Sequence, residues 1–315
     1  MGTLVGHVVP GFGFLLIGLW HLFNHIKLHC LNPNTYTAPA WFPSHRLKHA
    51  ELILIMLGAT MSIAMELFIG PDRHQPLDPD WTVPSNHLHN FEHSLISFSF
   101  FIYAAFAIAF DRLKPMAAAH GLTQLLAALA FTQQLLMFHL HSADHMGVEG
   151  QYHLVLQTVV VVTLASTLLS IALPGSFLVS FVRSLSIAVQ GVWFIVMGFA
   201  LWTPGLIPKG CWMNSEDGHF VVRCKGEAAL HRAKSLVNIQ FSWTLACMSV
   251  LGMALYLALS KFYEETEYKS LDGDYKERSS SDEDEDLESP KEKKFEESRS
   301  FIHMGKGFTP IDMER

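Results

Sequence analysis

Charged residues are scarce in this chain of 315 residues: only 16% are Asp, Glu, Lys or Arg, whereas 50% are hydrophobic. Soluble domains average about a quarter charged residues. Many of the charges lie beyond residue 262, so the preceding part is poorer still. This scarcity argues against a soluble globular protein. The net charge of −7 owes much to the acidic C-terminal segment and gives no basis for a nucleic-acid partner.

Cysteines and catalytic signatures are also few. The chain has 4 cysteines, too few for a disulfide scaffold of this length. Cys211 and Cys224 share one interhelical loop and can form a disulfide if that loop is lumenal. The sequence has no nucleotide-binding fingerprint and no G-x-S-x-G elbow, so neither phosphate-loop chemistry nor an α/β-hydrolase is supported.

Apolar runs long enough to cross a bilayer, about 20 residues each, fill most of the chain. They are Val8–Ile26, Leu52–Ile69, Phe91–Phe110, Met116–Phe138, Leu154–Leu173, Phe177–Trp202 and Leu236–Phe262. Short polar segments join these runs. The predicted fold class is therefore all-α: residues 1–262 form a polytopic bundle of about seven transmembrane helices surrounded by the lipid bilayer.

The last part of the chain, residues 263–315, is rich in Glu, Asp, Ser and Lys and is predicted to be a disordered cytosolic tail. Its YKSL stretch, Tyr268–Leu271, has the form of a tyrosine-based sorting signal, and acidic residues follow Ser279–Ser281 at the spacing that acid-directed kinases use. Trafficking adaptors and kinases are thus expected partners. The alternative is a solvated linker with chance matches.

The distribution of Lys and Arg predicts the orientation. The first and third loops are richer in basic residues than the second and fourth, which places the N-terminus on the lumenal or extracellular side and the C-terminus in the cytosol. Lys209, Arg223 and Lys225 in the sixth loop lie on the predicted outer side and disagree with this pattern.

Histidines and carboxylates gather where the apolar runs end. The stretch HLHSADHMGVEGQYH, residues 139–153, joins the fourth and fifth runs. Because consecutive spans alternate in direction, these residues share one membrane face with the N-terminus, together with similar residues from four other runs. The larger group is His7, Glu66, His74, His89, Glu92, His93, His139, His141, Asp144, His145, His153 and His231. A looser group at the other face comprises His21, His25, His29, His45, His49, Glu51 and His120.

The first group predicts a transition-metal site, because ionisable residues inside membranes face cavities or partners and imidazoles four residues apart share a helix face. The predicted ligands are His89, His93, His139, His141, His153 and His231. Glu66 or Asp144 would serve as oxygen ligand or general base in hydrolysis of a lipid-like substrate. This ligand set suits zinc, iron, manganese or copper. A proton or metal-ion transporter, a non-catalytic scaffold and purely structural hydrogen bonding remain alternatives.

Small and amide residues within the runs predict how the helices pack. Gly11, Gly13 and Gly18 are expected to permit close approach of the first span to a neighbour. Amide and guanidinium side chains are expected to hydrogen-bond between helices, each with a net value of about 1 kcal/mol. These are Gln133, Gln134, Gln157, Arg183, Gln190 and Gln240.

Four stretches together resemble the transmembrane protein 45 family. They are GHVVPGFGFLLIGLWH, AELILIMLGATMSIAMELF, the histidine block and VQGVWFIVMGFALW, and the form HSADHMGVEGQYH is similar to the plant branch. The resemblance covers residues 1–262. It implies a multi-pass protein of the Golgi, another secretory compartment or the plasma membrane. It brings no reaction, cofactor or catalytic residue.

Overall fold

The computed structural model describes residues 3–70, 74–113, 117–140, 146–216 and 219–282. The first four helices are α1 (Leu4–Leu31), α2 (Ala50–Ala64, extended by a π-helical turn at Met65–Ile69), α3 (Leu88–Arg112) and α4 (Ala119–His139). They are followed by α5 (Val148–Ala172), α6 (Phe177–Trp202), the strands β1 (Cys211–Glu216) and β2 (His219–Cys224), and α7 (Gly226–Asp282).

The seven predicted spans are confirmed: each corresponds to a helix that is long and apolar enough to cross a membrane. The chain is thus an integral multi-pass membrane protein with an all-α bundle. Hydropathy alone places the spans because a bilayer satisfies no backbone hydrogen bond, so apolar segments of this length must be helical.

The bundle has two polar ends, which we call the N-terminal face and the opposite face. At the N-terminal face, where α1 and α5 begin, His7 of α1 stacks on Trp202 at the end of α6 and on His153 near the start of α5. At the opposite face, His25 near the end of α1 lies beside Arg183 near the start of α6. Side chains far apart in the sequence therefore meet at each end.

The closest helix pair is α1 and α6, which approach backbone to backbone. A Cβ at Gly18 would lie 2.4 Å from the nitrogen of Ala188, and one at Gly191 would lie 2.3 Å from the nitrogen of Leu15. Gly11 lies in the same contact, as predicted. The prediction for Gly13 is wrong, because nothing lies within 4 Å of a Cβ there. The reason is the rotation of α1, which turns Gly13 outward.

Polar side chains cross-link the interior of the bundle, and most of the predicted interhelical hydrogen bonds are confirmed. Gln134 of α4 donates to Gln190 of α6 at 3.0 Å, and Gln190 donates to Thr163 of α5 at 2.7 Å. Tyr152 of α5 donates to Gln240 of α7 at 2.6 Å. Buried amides and hydroxyls thus bond to one another inside the apolar bundle, although Gln134 Oε1 has no hydrogen-bond partner.

A β-hairpin between α6 and α7 was not predicted from the sequence. Its antiparallel register pairs Cys211 with Cys224, and a disulfide joins the two. Arg223 forms an ion pair with Glu216, so one of the three basic residues that contradict the predicted orientation is neutralised within the hairpin.

The chain divides into two compact units, Met1–Thr266 and Glu267–Arg315. α7 runs to Asp282, and residues 283–315 lie outside the described residues. The predicted boundary at residue 262 and the disorder of the tail stay predictions.

We expect Gly18→Ala to destabilise the bundle by about 1–3 kcal/mol, the usual range for overpacking a tight contact. Gly13→Ala is the matched control on the same helix. It should be neutral or stabilise by up to about 1 kcal/mol, because alanine favours the helix and meets no neighbour. Unfolding of both variants in mixed micelles measures the difference. Equal stabilities would contradict the close contact.

Candidate functional site

His7 is fixed at the start of α1 with one ring nitrogen available to a ligand. The Thr3 side chain caps α1 by accepting from the nitrogen of Gly6 at 3.0 Å, and the His7 ring stacks on Trp202 with 4.4 Å between centroids. His7 Nδ1 lies 3.1 Å from the carbonyl oxygen of Thr3. Because a carbonyl only accepts, Nδ1 carries the hydrogen and Nε2 keeps its lone pair. Metal-binding histidines are commonly oriented in this way.

Glu149 and His153 lie in the first two turns of α5, four residues apart and hence on one helix face. Both are buried. The His153 ring stacks on Phe138 at the end of α4, with 5.3 Å between centroids and 12° between planes. Packing against an aromatic ring restricts the rotation of the imidazole and holds it toward the centre of the bundle.

His7, Glu149 and His153 form a group that could hold a metal ion. Each offers one ligand atom, and these atoms all lie within 4.8 Å of one another. Gly198 of α6 permits this arrangement, since a Cβ there would come 3.1 Å from the Cβ of His7 and 2.9 Å from Val8. We call these three residues the triad.

A second polar group lies at the same face and centres on Glu66. The π-helical turn Met65–Ile69 carries this buried carboxylate. Asn90 donates to it at 2.8 Å, and His93 Nδ1 lies 3.3 Å from its other oxygen. Both His93 and Glu66 lie within electrostatic range of His7, so the two groups influence each other. Short π-helical segments of this kind occur frequently at functional sites.

The structure brings together only part of the predicted ligand set. Of the predicted ligands, His153 lies in the triad. His93 contacts Glu66, and the His89 ring lies 6.3 Å from the His93 ring. His139 is exposed and meets Gln157 at 3.3 Å. His231 is also exposed.

Two predicted residues, His141 and Asp144, lie outside the described residues. Their roles as ligand and as general base stay predictions.

In the part of the chain that the structure describes, neither His139 nor His231 joins the triad, because their positions on α4 and α7 turn the side chains outward.

His7 and Glu149 belong to the triad but were not among the predicted ligands. The sequence carried a usable signal for Glu149, because it precedes His153 by four residues in the same way that His89 precedes His93. No comparable local signal marks His7. Its partners come from α5, about 140 positions away in the chain.

At the opposite face one member of the predicted histidine group, His21, belongs to a hydrogen-bonded network around Glu51. His21 Nε2 lies 2.6 Å from one oxygen of this buried carboxylate. Trp20 and the backbone nitrogen of Phe42 donate to the other oxygen at 3.1 and 3.0 Å. Among the described residues, no metal-binding group was found at this face.

The segment between α1 and α2 covers this face. Ala38 donates from its backbone to Pro174 at 2.8 Å and accepts from His120 at 3.1 Å. Tyr36 of this segment is buried, and its hydroxyl lies 2.8 Å from His25 Nδ1. Burial raises the pKa of the Tyr36 hydroxyl above its ordinary value, so the phenol stays neutral at physiological pH.

One comparison with known protein families bears on this site. A model of a family of unknown function, DUF716, matches residues 120–257. The match covers less than half of the chain, from the start of α4 into α7. It includes Glu149 and His153 but not His7.

We expect Asn90→Ala to destabilise the protein by about 1–3 kcal/mol, because the buried Glu66 carboxylate loses one donor. Thr60→Ala on the neighbouring α2 is the control. Thr60 is exposed and bonds only to its own helix at Met56, so its loss should change stability by less than about 0.5 kcal/mol. Thermal unfolding in detergent compares the two, and a neutral Asn90→Ala would contradict the assigned contact.

Proposed function

We propose that this membrane protein binds a divalent transition metal at the triad His7, Glu149 and His153. The observation that carries the proposal is the approach of three buried ligand atoms, from two helices, to within 4.8 Å of one another. Ionisable residues inside a membrane bundle usually face its interior and mark functional sites. A metal ion would be held by both imidazoles and the carboxylate together.

Two imidazoles and one carboxylate favour zinc or ferrous iron among the four metals that the sequence predicts. The same ligand types form catalytic zinc sites and the facial triad of non-haem iron proteins. Three protein ligands leave a coordination position for water or substrate, and zinc lowers the pKa of bound water to about 7. Hydrolysis of a lipid-like substrate is then the reaction that we infer, with Glu66 as the candidate base.

We expect the purified protein to retain close to one equivalent of metal, and His7→Ala and His153→Ala each to lower the metal content at least about tenfold. His231→Ala is the control, because this exposed histidine belongs to the same predicted set but lies outside the triad. Elemental analysis of folded protein gives the readout. Folded, metal-free wild type, or equal metal in all four proteins, would contradict the proposal.

A proton or metal-ion pathway is the second candidate function. Hydrogen bonds link three buried polar residues inside the bundle: Gln134, Gln190 and Thr163. Such a chain of polar side chains favours a pathway for protons or ions. Arg183 counts against it, because a buried guanidinium repels cations that approach the opposite face. Flux into liposomes that rises near the ordinary histidine pKa, about 6.5, would favour transport over hydrolysis.

Membership of the transmembrane protein 45 family is also part of the proposal, and the match to a family of unknown function over residues 120–257 supports it. The plant branch and a Golgi, secretory or plasma-membrane location rest on the same resemblance. A scaffold role would use adaptors or kinases at the tail. Deletion of residues 264–315 would abolish that role but leave metal binding intact.

For the orientation we propose a lumenal or extracellular N-terminal face, which the hairpin disulfide supports. Disulfides persist in oxidising compartments and are rare in the cytosol. The hairpin follows α6, whose end lies at the N-terminal face beside His7. The cysteine pair and the N-terminus therefore share one side of the membrane.

We expect the unreduced, denatured protein to expose two thiols to a maleimide reagent, those of Cys30 and Cys247, and the reduced protein to expose 4. Cys211→Ser should add one reactive thiol without reduction, because its partner Cys224 is released. The shift in mass on a gel counts the thiols. Four reactive thiols before reduction would place the hairpin in a reducing compartment.

A further inference from the structure

Arg183 is a buried cation with neutral partners. It lies in the second turn of α6 at the opposite face and is 3% exposed. Its guanidinium donates to Gln124 at 2.8 Å and to Ser170 at 3.2 Å. Throughout the described part of the chain, Arg183 makes no ion pair with a carboxylate.

The third partner of Arg183 is a neutral histidine. Arg183 Nη2 lies 3.4 Å from His25 Nε2. Because a guanidinium only donates, Nε2 must accept, so the hydrogen of His25 is on Nδ1 and points to the Tyr36 oxygen at 2.8 Å. His25 is therefore in its neutral form and supplies no negative charge.

Glu51 lies within electrostatic range of Arg183 but does not bind it. Its two oxygens accept from His21, Trp20 and Phe42. This carboxylate therefore offsets the guanidinium only at a distance. A buried cation without a contacting counter-ion is costly in an apolar medium.

One amide group beside the same cation has an unpartnered nitrogen. Gln124 is 1% exposed, and its amide nitrogen, part of the group that accepts from Arg183, has no hydrogen-bond partner. A cation beside an unused amide donor is the chemistry of an anion site.

We propose that Arg183 and Gln124 bind an oxyanion, the phosphate or carboxylate of a membrane amphiphile or of a soluble anion. The planar guanidinium and the amide N–H together suit two oxygens of one such group. The covering segment with Tyr36 and Ala38 excludes water, which strengthens the attraction between the charges. This site is separate from the triad at the other end of the bundle.

The test introduces a carboxylate beside Arg183 by substitution, so that the protein itself occupies the place of the proposed anion. Gln124→Glu is nearly isosteric and would place a carboxylate against Arg183. The full chain in phosphatidylcholine nanodiscs is titrated with phosphatidic acid, and in detergent with inorganic phosphate, and the rise in unfolding temperature gives the apparent affinity. We expect binding to be about 10- to 100-fold weaker in Gln124→Glu than in wild type.

Lys48→Gln is the control for general attraction to basic residues. Lys48 is exposed and pairs with Asp111, so this variant should keep the wild-type affinity. If Gln124→Glu does not fold, Arg183→Lys provides a second variant. Lysine keeps the positive charge but lacks the planar guanidinium that can donate to two oxygens, so this variant should also weaken binding.

The two arms identify the source of the anion. A response to phosphatidic acid alone supports a lipid headgroup, and a response to inorganic phosphate as well supports a soluble oxyanion. No response in wild type to either probe would overturn the proposal. So would equal affinities in wild type and the folded Gln124 or Arg183 variant.

Discussion

The close contact between α1 and α6 is the constraint on which the other polar interactions depend. Gly18 against Ala188, and Gly191 against Leu15, leave no room for a side chain between the two backbones. Because the contact fixes both the spacing and the register of the pair, the two ends of α1 are placed relative to α6. His7 consequently reaches the start of α5, where Glu149 and His153 lie.

The same register gives the two faces different electrostatic characters. The N-terminal face gathers the carboxylates Glu149 and Glu66 with imidazoles, a set that attracts a metal cation. At the opposite face the direct partners of Arg183 are neutral, and the Glu51 carboxylate is bound by other groups, so the guanidinium can attract an anion. Neutral amides and hydroxyls such as Gln190 connect the two ends without adding charge to the middle of the bundle. The two proposals together give one bundle a cation site and an anion site at its opposite ends.

The sequence predicted the spans because their length and hydropathy depend only on local composition. It could not predict the rotation of each helix, which depends on partners far away in the chain. Gly13 and Gly18 look alike in the sequence, yet only Gly18 faces α6. His153 and His231 also look alike, yet His153 is buried and His231 is exposed. The hairpin was missed although the dipeptide Asp-Gly between its strands is a strong turn signal.

The most direct test of the central claim, that α1 and α5 build a metal centre, is X-ray absorption spectroscopy of the full-length protein loaded with zinc. The account predicts two imidazole nitrogens at about 2.0–2.1 Å, with oxygen ligands completing the shell. His7→Ala should reduce the imidazole signal by half. Sulfur ligands at about 2.3 Å, a spectrum without imidazole scattering, or a folded protein that retains no zinc would contradict the account.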